Sequence, residues 1–145
     1  VAEKILVVDD ERPIRELVDL ILARAGYEAI KASNGREAID VAAKENPQLI
    51  ILDMMMPGLH GIDTCRELRS RQETRGIPIL VLTGYTEHER EALDAGVDDL
   101  MTKPFRPEEL IARAKALLKV RHVGDEVKRA LAYSQELREI LPNAS

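Results

Sequence analysis

The sequence predicts an α/β fold, a doubly wound parallel sheet of five strands flanked by helices and continued by a C-terminal helical extension. Short apolar runs alternate five times with amphipathic segments. Three of those runs are nearly continuous Val, Ile and Leu, the pattern of parallel strands buried on both faces. Gly and Pro punctuate the ends of the intervening helical periods.

The first strand is read over 4–9 (KILVVD). Ile14, Leu17, Val18, Ile21 and Leu22 mark the apolar face of the first helix, and Gly26 stops it. The second strand follows at 27–32 (YEAIKA). Ala38, Ile39, Ala42 and Ala43 then mark a second helix, with Pro47 beyond it. The third strand is 49–53 (LIILD), where an apolar run ends on the single carboxylate of Asp53 before a Met-Pro-Gly turn. Ile62, Cys65 and Leu68 set the third helix, and 77–83 (IPILVLT) is the fourth strand. Ala92 and Leu93 before Gly96 give a fourth helix, and 97–102 (VDDLMT) a fifth strand. The last helix of the series carries Leu110, Ile111, Ala114, Leu117 and Leu118 behind Pro104 and Pro107.

The totals bound the function. A chain of 145 residues is about one domain long. It can bury roughly two-thirds of its unfolded surface without metals or disulfides. A net charge of −5 makes direct nucleic-acid binding by this segment unfavourable, and 3% aromatic residues with no Trp argue against stacking on single strands. The lone Cys65 cannot form an internal disulfide and reads as a small semi-buried hydrophobe on a helix, in a reducing compartment. No apolar stretch approaches the roughly 20 residues of a membrane span. The first ten residues (VAEKILVVDD) show no basic leader, so the expected location is the cytoplasm.

Sheets of this kind bind ligands beyond the carboxyl ends of their strands. At those ends stand Asp9 and Asp10, then Asp53, then Thr83 with Gly84, then Lys103. Two carboxylates about 4 Å apart repel by roughly 4 kcal/mol at an effective dielectric near 20, so such acids call for a cation or for Lys103. Hard oxygen donors without His or Cys suit Mg²⁺. Asp10 and Asp53 are the expected direct ligands, Asp9 acts through water, and the Met55 carbonyl is a further donor. A carboxylate so placed can attack phosphorus. Lys103, the Thr83 hydroxyl and the amides of Met54 and Gly84 would then face the phosphoryl oxygens. Taken singly, each residue has a plainer reading: Asp9 as a loop or cap acid, Lys103 as a solvated charge, Thr83 as a strand residue, and Met54 to Met56 as packing.

Together these residues carry a resemblance. Asp9-Asp10 after ILVVD, Asp53 in LDMMMPG, Thr83-Gly84 after PILVLT and Lys103-Pro104-Phe105 after DDLMT resemble the receiver domain of two-component response regulators over residues 3 to about 119. The resemblance implies a flavodoxin-like strand order of 2-1-3-4-5. It implies that Asp53 accepts a phosphoryl group from a phosphohistidine on a sensor histidine kinase or phosphotransfer protein. It further implies that Asp9, Asp10, Asp53 and the Met55 carbonyl hold Mg²⁺, and that Thr83 and Lys103 contact the phosphoryl group. Such a domain is a phosphorylation-controlled regulator in a signalling relay, not a turnover enzyme; it catalyses only its own phosphotransfer and dephosphorylation. The family's switch pairs the Thr with an aromatic residue three positions before the Lys. Here the switch positions are Thr83 and Leu100, and leucine can change rotamer but cannot hydrogen-bond at its tip.

Residues 1–119 thus read as the receiver and 120–145 as a helical extension. Val120, Val123, Val127, Ala130, Ser134, Leu137 and Leu141 fall on a 3-4 spacing that continues from Leu117. That seam could pair two copies as a homodimer through 117–141, as a linker toward an output domain, or pack back on its own domain. Gly124 weakens helix, Asp125 can cap a new one, and Pro142 ends it.

Two other classes compete. A haloacid-dehalogenase-type phosphatase also forms an aspartyl phosphate, but wants an acid two residues after the nucleophile, where Met55 stands. A phosphorylation-independent interaction module on the same fold would not need Asp9, Asp10, Asp53, Thr83 and Lys103 intact. His60, His88 and His122 lie too far apart in sequence for a local metal motif. Met55 and Tyr85 occupy the positions two residues after the acceptor and after the Thr, and neither supplies an acid or amide to orient water. The phosphoryl group should therefore hydrolyse slowly. A phosphoryl half-life of seconds or less in the isolated protein, followed by quenched-flow or intact mass, would contradict this.

Overall fold

The computed structural model describes residues 2–54, 60–84 and 89–141. Five parallel strands form one sheet: β1 (Lys4–Val8), β2 (Glu28–Ala32), β3 (Leu49–Asp53), β4 (Ile79–Thr83) and β5 (Asp99–Thr102). Their order is β2-β1-β3-β4-β5, as expected. Helices α1 (Arg12–Arg24), α2 (Gly35–Glu45), α3 (Gly61–Ser70), α4 (Glu89–Asp94) and α5 (Pro107–Val120) alternate with the strands, and α6 (Glu126–Ile140) follows α5.

Alternation of side chains along each strand sorts the core into two apolar layers. Leu6, Val8, Ile50, Leu52, Ile79 and Val81 face α2, α3 and α4, where Ala38, Ile39, Cys65, Leu68 and Ala92 meet them. Ile5, Val7, Leu49, Ile51, Leu80, Leu82 and Met101 face α1 and α5. Both faces of the central strands are covered, which is why β3 and β4 are buried at every position.

The strands are shorter than the apolar runs suggested. Tyr27, Ile77, Pro78, Val97 and Asp98 precede the ladders, and Asp9 follows one. Pro78 lacks an N–H for the ladder, although its carbonyl accepts from Ile50 at 2.9 Å. Helix ends follow the sequence signals closely. Gly26 after α1 and Gly96 after α4 take positive φ of 93° and 98°. Asn34 caps α2 by accepting from the Glu37 amide, and Asn46 ends it in the left-handed region.

One side chain joins elements that sequence proximity does not. Arg69 on α3 donates Nε to the Gly96 carbonyl (2.9 Å) and Nη1 to the carbonyls of Arg75 (2.9 Å) and Ile77 (2.6 Å). Its Nη2 lies 2.7 Å from Asp98 Oδ2, an oxygen that also accepts from the Ile79 amide at 2.8 Å. Burial pushes the Asp98 carboxyl above the usual carboxylate range, while Arg69 pulls it back down. Cys65 is wholly buried, its Sγ 3.3 Å from the Ala95 carbonyl, and burial pushes its thiol up to about 11.

The tail departs from a continuous 117–141 seam. α5 ends at Val120, the break spans 121–125, and Asp125 caps α6 by accepting from the Lys128 amide. α6 turns back and packs on α5, setting Leu137, Tyr133 and Leu141 against Ala112 and Ala116. Leu117, Val120 and Leu137 are therefore buried within the chain, whereas Val127, Ala130 and Ser134 point outward. The physical reason is the helix break: it rotates the two halves of the stripe onto different surfaces. A homodimer through that seam would first have to undock α6.

Arg69→Ala should destabilise the fold by about 3 kcal/mol in chemical denaturation, the lower end for breaking a buried pair. The lower end applies because both side chains keep 21% exposure. A loss below about 0.5 kcal/mol would show that Arg69 is not the tie between α3, β4 and β5.

Candidate functional site

The carboxyl ends of β1, β3, β4 and β5 bring the candidate residues to one edge. Asp9 follows β1, Asp53 ends β3, Thr83 ends β4, and Lys103 follows β5. One carboxylate oxygen from each of Asp9, Asp10 and Asp53 lies within 4.8 Å of the others. Lys103 Nζ is 3.1 Å from Asp53 Oδ1 and 3.4 Å from Asp9 Oδ2. Asp9, Asp53 and Thr83 are buried, at 2%, 3% and 0% exposure, while Asp10 is exposed at the rim.

Backbone geometry fixes these positions. The register pairs Val8 with Leu52, and Asp53 with Leu82, so the first and third strands end side by side. Asp9 stays in the sheet environment because its amide donates to the Ala32 carbonyl at 3.2 Å. Its Oδ1 accepts from the Glu11 amide at 2.9 Å, closing a turn that leads into α1. Arg15 on α1 donates Nη1 to the Asp9 carbonyl at 2.7 Å. The Lys103 amide donates to the Thr83 carbonyl at 2.7 Å, carrying the β4–β5 ladder up to the site. The Lys103–Pro104 peptide is cis.

Gly61, the first residue of α3, approaches the site more closely than any side chain would allow. A Cβ there would lie 2.6 Å from Met54 Cα and 2.8 Å from the Asp53 carbonyl oxygen. Its amide donates to the Met54 carbonyl at 3.1 Å. Gly84 differs: a Cβ there meets nothing within 4 Å, which leaves open space beside Thr83.

Among the described residues, three carboxylates against one ammonium leave two negative charges in this cluster. Burial alone would lower the Lys103 ammonium pKa, but the Asp53 and Asp9 carboxylates more than offset this and hold it above the ordinary lysine value. Lys103 therefore stays charged. The donor set is oxygen only, with no His or Cys, and its residual negative charge fits a hard divalent cation such as Mg²⁺.

Two expectations change or fall outside this picture. The Met54 amide, expected beside a phosphoryl group, instead donates to the Leu82 carbonyl at 2.9 Å and completes the β3–β4 ladder. Met55 and Tyr85 lie outside the described residues, as does His88. Leu100 sits in β5 opposite Val81, half-buried against the layer of α2, α3 and α4. His60 and His122 are exposed. Sequence reasoning missed Arg15, Gly61 and Arg69; Arg69's bonds to distant carbonyls leave no local pattern, whereas Gly61 opens a helix eight residues after Asp53, a position that could have been flagged.

The fold and the acidic edge are those of a receiver domain of phosphorylation-controlled signalling, and the comparisons agree. Residues 5–115 match the family model described as the response regulator receiver domain. The chain belongs to that family. It is 45% identical over 127 residues to the phosphate regulon transcriptional regulatory protein PhoB of Pseudomonas aeruginosa, covering 86% of this chain and 56% of that protein. It is 49% identical over 119 residues to the alkaline phosphatase synthesis transcriptional regulatory protein PhoP of Bacillus subtilis, covering 81% of this chain and 49% of that one. The chain thus spans about half the length of the curated relatives it matches. Among solved structures it is similar to the Vibrio cholerae chemotaxis protein CheY4, with a TM-score of 0.76 and 36% identity over 79% of this chain and 98% of that one. The receiver domain of the Francisella response regulator 1452 aligns with a TM-score of 0.75 and 34% identity, over 81% and 97% of the two chains.

If the three carboxylates hold Mg²⁺, a concentration about a hundredfold above its Kd should stabilise the protein by about 2.7 kcal/mol. Calorimetry should show the gain in wild type and its reduction in Asp10→Asn. Equal transitions with and without Mg²⁺ in wild type would remove the ion from the site.

Proposed function

We propose that Asp53 is the phosphoacceptor of this receiver and that the donor is a phosphohistidine on a sensor histidine kinase or phosphotransfer protein. The observation that carries the reading is the position of Lys103 Nζ, 3.1 Å from the Asp53 carboxylate inside a group of three acids. In the transfer, a carboxylate oxygen of Asp53 attacks phosphorus. The new O–P bond forms as the donor's N–P bond breaks, and the electron pair returns to the imidazole. Asp9, Asp10 and Asp53 would hold Mg²⁺, which when bound supplies positive charge to the transferring oxygens. Lys103 keeps an ammonium facing the same region, and the buried Thr83 stands at the end of β4 to offer a hydroxyl.

The product adds about 1.5 to 2 negative charges at the edge. Lys103 is the charge within reach, and its attachment to β5 passes the change into the fold. Transfer and hydrolysis at Asp53 are proposed as the protein's own chemistry, with no second substrate turned over. The curated relatives are named as transcriptional regulators. Control of transcription is accordingly the proposed consequence, and a net charge of −5 disfavours direct nucleic-acid binding by these residues themselves. The cytoplasm, where such a donor would meet it, is the proposed location; no helix among the described residues is long and apolar enough to cross a membrane.

Incubation with acetyl phosphate and Mg²⁺ should add the mass of one phosphoryl group, and Asp53→Asn should abolish the gain. Lys103→Met should retain folding but slow uptake about a hundredfold or more, since removing one donor from such a site costs about 2.7–4 kcal/mol of transition-state stabilisation. A phosphoryl group located on another residue, or none in wild type, overturns the assignment.

A further inference from the structure

α6 lies outside the two-layered domain, and its attachment is unusual in one respect. The Tyr133 hydroxyl and Arg113 Nη1 both donate to the same oxygen, Oδ2 of Asp99. Asp99 is the first residue of β5, and Lys103 directly follows the last. The four strand residues span about 13 Å at roughly 3.3 Å each and run in register with β4, from Leu80 opposite Asp99 to Thr83 opposite Thr102. One short rod therefore carries the anchor of α6 at one end and the ammonium of the acidic edge at the other.

The rest of the attachment is made on one face, where Tyr133 also packs against the layer of α1 and α5 and Leu141 joins Leu137 on α5. Leu137 is the one buried residue of α6, and it rests on the small side chains of Ala112 and Ala116. The Lys119–Glu136 pair, at 3.0 Å, is formed by a lysine that is 62% exposed, and exposed pairs contribute little. Arg129 reaches the Val123 carbonyl at 2.8 Å, within the connector itself. Gly124 in that connector has open space around it. Attached through one face to α5 and by a short hinge, α6 is the element that can leave without breaking a strand ladder. The three-group meeting at Asp99 thus weighs heavily in keeping it docked.

We infer that α6 is a latch read by the phosphoacceptor site: docked on α5 and β5 while Asp53 is unmodified, loosened when Asp53 carries a phosphoryl group. This rests on the phosphoacceptor reading above. In the unmodified protein Lys103 is held between Asp53 and Asp9. A phosphoryl group on Asp53 redirects that ammonium and shifts the end of β5. A phenol and a guanidinium sharing one carboxylate oxygen tolerate little displacement of that oxygen. Coupling of this kind is reciprocal, so weakening the latch favours phosphorylation.

The test is hydrogen exchange of α6 amides in the full chain, with intact mass recorded in parallel. Tyr133→Phe keeps the ring and removes the hydroxyl. It should speed exchange across 126–140 about tenfold or more while β1 to β4 are unchanged, the size expected for losing a hydrogen bond to a charged group. Wild type carrying a phosphoryl group from acetyl phosphate and Mg²⁺ should show faster α6 exchange. Tyr133→Phe should also take up more phosphoryl group at a fixed, subsaturating donor concentration. Unchanged α6 exchange in Tyr133→Phe overturns the latch. Unchanged exchange in a wild-type chain whose mass shows the phosphoryl group overturns the coupling. Faster exchange in Tyr133→Phe with no phosphoryl uptake by wild type supports Tyr133-dependent docking, while overturning the phosphoacceptor reading and the coupling that depends on it.

Discussion

The organising constraint of this molecule is the repulsion among carboxylates that the sheet forces together at its carboxyl edge. Asp9 and Asp53 are almost fully buried on neighbouring strand ends, and Asp10 shares an oxygen cluster with them. Lys103 answers part of that charge from the end of the outer strand β5. The surrounding structure is arranged so that this cluster survives burial: ladders on both sides fix the strand ends, the Asp9 turn closes on Glu11, and Gly61 lets a helix approach the backbone of Asp53 and Met54.

A charged cluster of this kind is kept at a functional edge because what it lacks is what it can receive. Three acids against one ammonium leave the site short of positive charge, and an oxygen-only donor set suits a hard cation. The same imbalance makes the edge sensitive to any further negative charge. Lys103 bonds two of the acids and is covalently continuous with an edge strand. The opposite end of that strand meets Arg113 and Tyr133, so the sheet's outer strand connects the acidic edge to the added helix.

The distribution of rigidity follows from packing. The central strands are sealed between two apolar layers, and Arg69 ties α3 to the entries of β4 and β5. α6 joins this from outside: Tyr133 reaches the layer of α1 and α5, Leu137 rests on Ala112 and Ala116, and Val127 and Leu131 stay exposed. A rigid sheet with a lightly held appendage is suited to transmitting a small displacement, because the sheet moves its edge strand as a unit and the appendage has little to lose by letting go.

Read alone, the sequence determined the layout. Hydrophobic runs with the period and length of buried strands, and helix stops such as Gly26 and Gly96, set the alternation from which the doubly wound sheet follows. The residues of the site were legible for the same reason: Asp9, Asp53, Thr83 and Lys103 each end an apolar run, and strand ends in a parallel sheet share one edge. What only the tertiary structure decided were relations between residues that no local period encodes. The Met54 amide is engaged by Leu82 because that bond depends on cross-strand register. Arg69, Arg15 and Gly61 act on backbone far from them or across a turn. The helical tail shows the division most clearly. Its heptad-like spacing could be read from composition, but spacing is satisfied equally by a partner helix or by the chain's own α5. The break at 121–125 and the meeting of Tyr133 with Asp99 chose between them in this structure, because contact geometry, not periodicity, decides which surface a helix buries.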